Sequence, residues 1–338
     1  MKLRVGLIGL GDDWDRRHRS ALRALNDRFD VRAVYEQVAH RAVAAAREFD
    51  AQPVDGYHTL ASREDVDAVL LLSQNWYGTL PIFAACDAGK DIYSAAGLGT
   101  DLARADLLKQ RIEDSGVTFM AESSRRHAPA TNRLKELIVT RLGAPRLLFS
   151  HRRDMPDGNS NATRKGSAFD ATTNELVEIV DWCRFIVGLD PTSVIGLKHL
   201  ARDGSTGNDY EMMSLDFSSS DSETGSGSVA QISSGNYIPH AWSEAASFRL
   251  PADLQVACEN GIAFVDLPAK IVWFDSAGRH QESLDSERPL GEALLSQFYR
   301  GVTSLVRNSN SLEDTHRALK VVMLAYESQQ RGQRMPLG

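Results

Sequence analysis

Near its start the chain reads "VGLIGLGDDWDRRH", residues 5 to 18, and the residue types here suit a nucleotide. Gly9 and Gly11 are spaced as the first two glycines of a dinucleotide-binding turn. Such glycines let the backbone turn tightly and approach a pyrophosphate, and the following helix offers free N–H groups and the positive end of its dipole. An acidic residue ending the second strand, about 20 residues on, holds the ribose hydroxyls. Glu36, at the end of "VRAVYE", meets that requirement. A carboxylate there favours NAD and disfavours NADP, whose extra phosphate it repels. Trp14 stands where a third glycine is usual, and either widens the turn or lies over the dinucleotide. Asp12 and Asp13 favour a helix N-terminus but put negative charge where phosphates would lie. Ser73, Asn75 and Trp76, in "SQNWYG" after the fourth strand, complete the expected cofactor-binding set. The plainer reading is a glycine turn that only connects strand to helix.

Proton transfer has its own candidates. Residues 175–187 form a helix that is apolar nearly all round, except for Asn174, Glu178 and Asp181, spaced four and three apart as one polar stripe. Two readings stand. In one the stripe faces solvent, with Asp181 paired to Arg184. In the other the helix is buried, Glu178 has a raised pKa and acts as a base, and Asn174 assists it. "SGNYIPHAW" adds His240 as a second proton-transfer residue, or as an ordinary loop histidine, and Tyr237 as a substrate contact. Arg125 and Arg126 grip an anionic or hydroxylated ligand, or serve in salt bridges; Arg126 and Asp181 count with Tyr237 as candidate substrate contacts. Trp76 and Tyr77 stack on a nicotinamide or a sugar, or cap a domain junction. The nine histidines form no HExxH or similar cluster, so no protein-bound metal is expected.

These residues must be positioned by regular elements. The first 122 residues alternate strand and helix signals, which predicts a doubly wound parallel sheet. Strands are expected at 3–8, 31–35, 66–72, 91–93 and 117–121, and helices at 15–25, 40–49, 79–88 and 100–115. From residue 123 to 338 the pattern changes. Helices are expected at 131–142 and 175–187, a polar turn-rich loop at 154–170, and strands from 146 to 152 and across 194–274. Residues 212–217 and 228–233 read as a hairpin pair, and helices at 290–307 and 312–331 close the chain. This predicts two α/β domains, 1–122 and 123–338, the second built on a large open, mostly antiparallel sheet. With 42% hydrophobic and 25% charged residues and a net charge of -7, the composition is that of a globular protein without a basic nucleic-acid surface. No apolar run approaches the roughly 20 residues of a membrane span, and three scattered cysteines point to a reducing, cytoplasmic setting.

The sequence resembles the glucose-fructose oxidoreductase / inositol dehydrogenase (Gfo/Idh/MocA) family. "LRVGLIGLG", "VYEQVAHRAVAAAREF" and "AACDAGKDIY" resemble its dinucleotide half. "SRRHAPATNRLKELIVTRLGAPR" resembles the opening of its second half, with Arg126 and Pro129 matching. "DWCRFIVGLDP" and "SLEDTHRALKVVMLAYESQQRGQ" resemble later helices. The resemblance implies a Rossmann domain, an α/β domain whose open sheet often mediates oligomers, and a homo-oligomer, dimer or tetramer. The family's Glu-Lys-Pro motif carries a catalytic lysine, but Ala95, Ala96 and Gly97 occupy those positions. Its Asp and His pair aligns with Asn174 and Glu178, and its strand-end Pro and His with Gln74 and Gly78. The expected function is an NAD-dependent oxidoreductase acting on a sugar, polyol or related small molecule with non-standard catalytic residues. The alternatives are a non-catalytic nucleotide- or sugar-binding sensor or partner subunit, and an NAD-retaining lyase or glycosidase.

Overall fold

A computed structural model describes residues 2–74, 77–95, 97–153, 165–199, 210–218, 227–235, 237–238, 240–304 and 310–337. It divides into two compact units, one of residues 1–124 and 288–317, the other of 125–287 and 318–338. Residues 288–317 thus group with the first unit, whereas the change of pattern at 122 places them with the second.

The first unit holds a six-stranded sheet of β1 (Leu3–Ile8), β2 (Phe29–Tyr35), β3 (Gln52–Pro53), β4 (Ala68–Leu71), β5 (Asp91–Ser94) and β6 (Phe119–Ala121). All its pairings are parallel, in the order β3-β2-β1-β4-β5-β6. β4 reads AVLL and is buried throughout, as a strand covered on both faces must be. The helices of this unit are α1 (Arg19–Ala24), α2 (Ala39–Glu48), α3 (Tyr57–Ala61), α4 (Leu80–Asp87) and α5 (Leu102–Ser115). Asp101 caps α5 by accepting from the Arg104 N–H, and Gly116 ends it in the left-handed conformation. Between β1 and α1, residues Trp14–His18 form a π-helix. The expected helix over 15–25 is therefore two pieces, a π turn and then α1.

The second unit begins with α6 (Ser124–His127) at its boundary and α7 (Pro129–Leu137). Its sheet has nine strands, β7 (Pro145–Arg153), β8 (Ser193–His199), β9 (Tyr210–Asp216), β10 (Val229–Gly235), β11 (Leu254–Cys258), β12 (Ile262–Asp266), β13 (Lys270–Asp275), β14 (Gly278–Ser283) and β15 (Met335–Pro336). Their order is β14-β13-β12-β11-β7-β10-β9-β8-β15, and β7 with β10 is the parallel pair in an otherwise antiparallel sheet. The helix α8 (Lys165–Val187) buries Leu176, Ile179, Val180, Trp182, Cys183 and Ile186 in one core with Leu148, Met213, Leu215, Ala230, Ile232 and Val256 of the sheet. The loop expected over 154–170 is thus helical from 165 onward; residues 154–164 lie outside those described. On the other side of the strands Leu147, Leu197, Val229 and Phe274 are exposed. The pair expected at 212–217 and 228–233 is β9 and β10, joined antiparallel from Tyr210↔Gly235 to Asp216↔Val229. A short helix, α9 (Ser243–Ser247), interrupts the region expected to be all strand; α10 (Leu290–Thr303) belongs to the first unit, and α11 (Asn310–Arg331) begins in the first unit and ends in the second.

Candidate functional site

At the carboxyl end of β1 both turn glycines are left-handed, Gly9 at φ 64° and Gly11 at φ 65°. A Cβ on Gly11 would lie 2.7 Å from the Leu72 carbonyl, so the turn is pressed against the end of β4 and admits no side chain. On Gly9 a Cβ would meet the Tyr77 hydroxyl and the Ser73 carbonyl. Ser73 therefore does stand at the turn. Asn75 and Trp76 lie outside the described residues. Glu36, at the end of β2, accepts a hydrogen bond from the Leu10 N–H at 2.7 Å, which ties the ribose-side carboxylate to the turn itself.

Trp14 follows the first of its two expected courses. The turn is widened, and the indole is 6% exposed in the core, edge-on to Phe49 at 5.9 Å. It therefore does not lie over the turn. The helix start carries no side-chain cap. Asp12 is exposed, and Asp13 pairs with Arg17 at 3.6 Å. One basic residue escaped the sequence reading. Arg41, on α2, donates to the Gly11 carbonyl at 3.3 Å and brings a cation to the rim of the turn. Its sequence position, on a helix five residues after Glu36, gives no sign of that reach. The left-handed glycines, Glu36 and Arg41 together fit an adenine dinucleotide.

Below this turn lies a buried polar cluster that the sequence does not announce. Glu122, just after β6, accepts from the Tyr93 hydroxyl at 2.7 Å, lies 2.8 Å from His18 Nε2 and is bonded by Arg17. Burial, then the Arg17 cation, pushes the His18 imidazole down to about 4. The neutral ring donates from Nε2, leaving buried Nδ1 without a partner. An unfolded histidine titrates near pH 6.5, so as pH falls the unfolded chain takes up the proton first. The His18 contribution is whole above pH 6.5 and is lost as pH falls toward about 4, a change of roughly 3 kcal/mol. Urea midpoints at pH 7.5, 5.5 and 4.5 check this: the His18→Asn variant is expected to show a distinctly flatter decline than the parent.

The turn after β5, where the family lysine would stand, is pinned at Gly97, whose carbonyl accepts from Gln74 Nε2 at 3.1 Å and Ser94 Oγ at 2.8 Å. Ala96 lies outside the described residues.

In the second unit the stripe on α8 meets arginines. Arg125 donates to Glu175 at 3.2 Å, pairs with Glu178 at 3.5 Å and lies over the Trp182 ring. Glu175 is also bonded by Arg152. The Glu178 side chain is 41% exposed. Asn174 is half-buried one turn earlier on the helix. Asp181 is buried and takes Arg126 by both carboxylate oxygens, with Arg184 at 3.5 Å. The expected Asp181–Arg184 pairing is thus secondary, and Arg184 bonds Asp190. Arg126 and Asp181 pair with one another, as a buried carboxylate must be paired.

Tyr237 is 38% exposed, and its hydroxyl lies 3.0 Å from His151 Nε2. His151 Nδ1 lies 2.7 Å from Ser233 Oγ, its register partner in the parallel β7–β10 pair. His151 was not singled out in the sequence, because only the pairing of β7 with β10 brings it to Ser233 and Tyr237. His240 opens a single 3-10 turn, and its side chain lies outside the described residues.

Comparison with known proteins places this geometry. Residues 3–123 match the Gfo/Idh/MocA family, described as an oxidoreductase family with an NAD-binding Rossmann fold. The chain is 30% identical over 146 residues to the dehydrogenase aclE of Aspergillus oryzae, covering 40% of each protein. It is 30% identical over 141 residues to dTDP-3,4-didehydro-2,6-dideoxy-alpha-D-glucose 3-reductase of Actinomadura kijaniata, covering 40% of this chain and 41% of that one. The chain thus spans about two-fifths of the length of the curated relatives it matches. Among solved structures, the aldose-aldose oxidoreductase of Caulobacter crescentus superposes with a TM-score of 0.83 at 15% identity, covering 100% of both chains. A levoglucosan dehydrogenase in complex with NADH and levoglucosan gives 0.82 at 16% identity, covering 99% of each. These structural likenesses establish the fold.

Proposed function

We propose, for a chain whose residues 3–123 match the Gfo/Idh/MocA oxidoreductase family, an NAD-dependent oxidation or reduction of a sugar, polyol or related hydroxylated small molecule, run with non-standard catalytic residues. The carrying observation is the glycine turn with Glu36 bonded to Leu10 at 2.7 Å, a dinucleotide crevice built at the switch point of the sheet. Sugar-directed relatives, the deoxyglucose 3-reductase and the aldose-aldose oxidoreductase, support the substrate class. A bound nicotinamide supplies the hydride acceptor or donor.

The chain's own residues do the rest. Gly9 and Gly11 keep side chains away from the diphosphate. Glu36 selects NAD through the ribose hydroxyls. Arg41 pulls the other way, so the preference over NADP rests on Glu36. The proton of the substrate hydroxyl goes to Glu178, the accessible carboxylate of the α8 stripe, with Asn174 beside it. Tyr237 and His240 are the further substrate-side candidates. The exposed sheet face carrying Leu147, Leu197, Val229 and Phe274 suits association with a second copy, as a dimer or tetramer. Among the described residues no helix is long and apolar enough to cross a membrane; a cytoplasmic setting is the reading the free cysteines support.

Calorimetry with NAD, NADH and NADP tests the cofactor reading. NADH is expected to bind in the micromolar range or tighter and NADP more weakly. Glu36→Ala is expected to weaken NADH by roughly ten-fold, the worth of a charge-assisted hydrogen bond, and to narrow the gap to NADP. Absence of binding by every one of these dinucleotides rejects the oxidoreductase reading in favour of a scaffold with another ligand. Binding without turnover on any sugar or polyol favours the sensor or partner subunit, for which the missing family lysine already speaks.

A further inference from the structure

The crevice over β1 has one wall that neither the glycine pattern nor the family resemblance assigns. Tyr77, on the segment after β4, directs its hydroxyl into the gap left by the missing side chain of Gly9. Its ring is half-buried and meets Tyr35 at 5.9 Å and Tyr57 at 6.0 Å, and those two lie 6.3 Å from one another. Tyr35 ends β2 immediately before Glu36, and the Glu36 carboxylate lies close enough to act on the Tyr77 phenol. The Tyr77 hydroxyl makes no hydrogen bond among the described residues. Burial, then Glu36 and Tyr35, hold its phenol well above the usual range, so it stays a neutral O–H donor at any physiological pH. A neutral donor with no acceptor among the described residues, beside a crevice made for an anion, can give its proton to a ligand oxygen in place of water.

We propose that Tyr77 is a dinucleotide-binding residue, whose hydroxyl donates a hydrogen bond to an oxygen of the adenosine-diphosphate half of the cofactor. This rests on the nucleotide reading above and differs from a stacking role on the nicotinamide. The ring is held by Tyr35 and Tyr57 in contact with the turn, so binding requires only that the hydroxyl rotate toward the ligand. The contact is specific to the half of the dinucleotide that ADP also carries.

Titration calorimetry of the parent and of Tyr77→Phe with NADH and with ADP tests it. Phe keeps the ring contacts, and an unchanged thermal midpoint confirms that the fold is intact. Weakening of both ligands by roughly ten-fold is expected. Tyr57→Phe, whose ring meets Tyr77 but whose hydroxyl is given no such role, should bind both as the parent does. Equal or tighter binding by Tyr77→Phe overturns the proposal and leaves the nucleotide reading standing. A parent that binds neither ligand, nor NADPH, overturns the nucleotide reading and this one with it.

Discussion

Glu122→Ala is expected to destabilise the protein by about 3–5 kcal/mol at pH 7, the usual consequence of breaking a buried, hydrogen-bonded charge cluster. The carboxylate has 3% of its side-chain surface exposed and accepts from three donors. Removing it leaves Tyr93, which is fully buried, and the Nε2–H of His18 without an acceptor, each costing roughly 1–3 kcal/mol. Arg17 keeps Asp13 as a partner and is itself partly exposed, so its share is smaller. The cluster joins β5, the end of β6 and the π-helix after the glycine turn, and the damage therefore reaches the turn. Glu122→Gln retains an acceptor of the same shape and should lose only about 1–2 kcal/mol, the scale of a single imperfect hydrogen bond. Urea unfolding of the three proteins measures this; a loss under 1 kcal/mol for Glu122→Ala would show that Arg17 and His18 find other partners.

How much of this was legible in the sequence differs by feature. The parallel sheet was, because a strand buried on both faces must be apolar along its whole length, as Ala68–Leu72 is in β4 and just after it. The nucleotide turn was as well, since only glycine takes φ near +65° without strain, and both positions hold one. Local pattern failed where long-range contact decides. The π-helix at Trp14–His18 has ordinary helical composition, and its wider turn becomes visible only when the Trp14 ring is placed against Phe49. The Glu122 cluster gathers residues about a hundred positions apart. His151 and Ser233 are brought together by a parallel pairing within an antiparallel sheet. On α8 the apolar content suggested a wholly buried helix, yet the polar stripe is satisfied by Arg125 and Arg126, whose side chains lie along it. An arginine two elements away can hold a carboxylate at the surface of an otherwise buried helix, and periodicity carries no record of it.

Glu178→Gln is expected to lower kcat by ~10²–10⁴-fold, the contribution of a positioned general base, while the Kd for NADH stays within about two-fold of the parent's. The choice of residue follows from its neighbours. Asp181 is 9% exposed and bound on both oxygens by Arg126. Glu175 is shared between Arg125 and Arg152. Glu178 pairs with Arg125 at 3.5 Å and has the most exposed carboxylate of the three. Gln keeps its length and removes only the charge, so a fall in rate with an unchanged urea midpoint isolates the lost basicity. Turnover with sugars or polyols and dinucleotide calorimetry on the same preparations separate the outcomes. If the rate survives in Glu178→Gln and falls in His240→Asn, the proton passes through His240. If both variants turn over as the parent does, neither carries the proton.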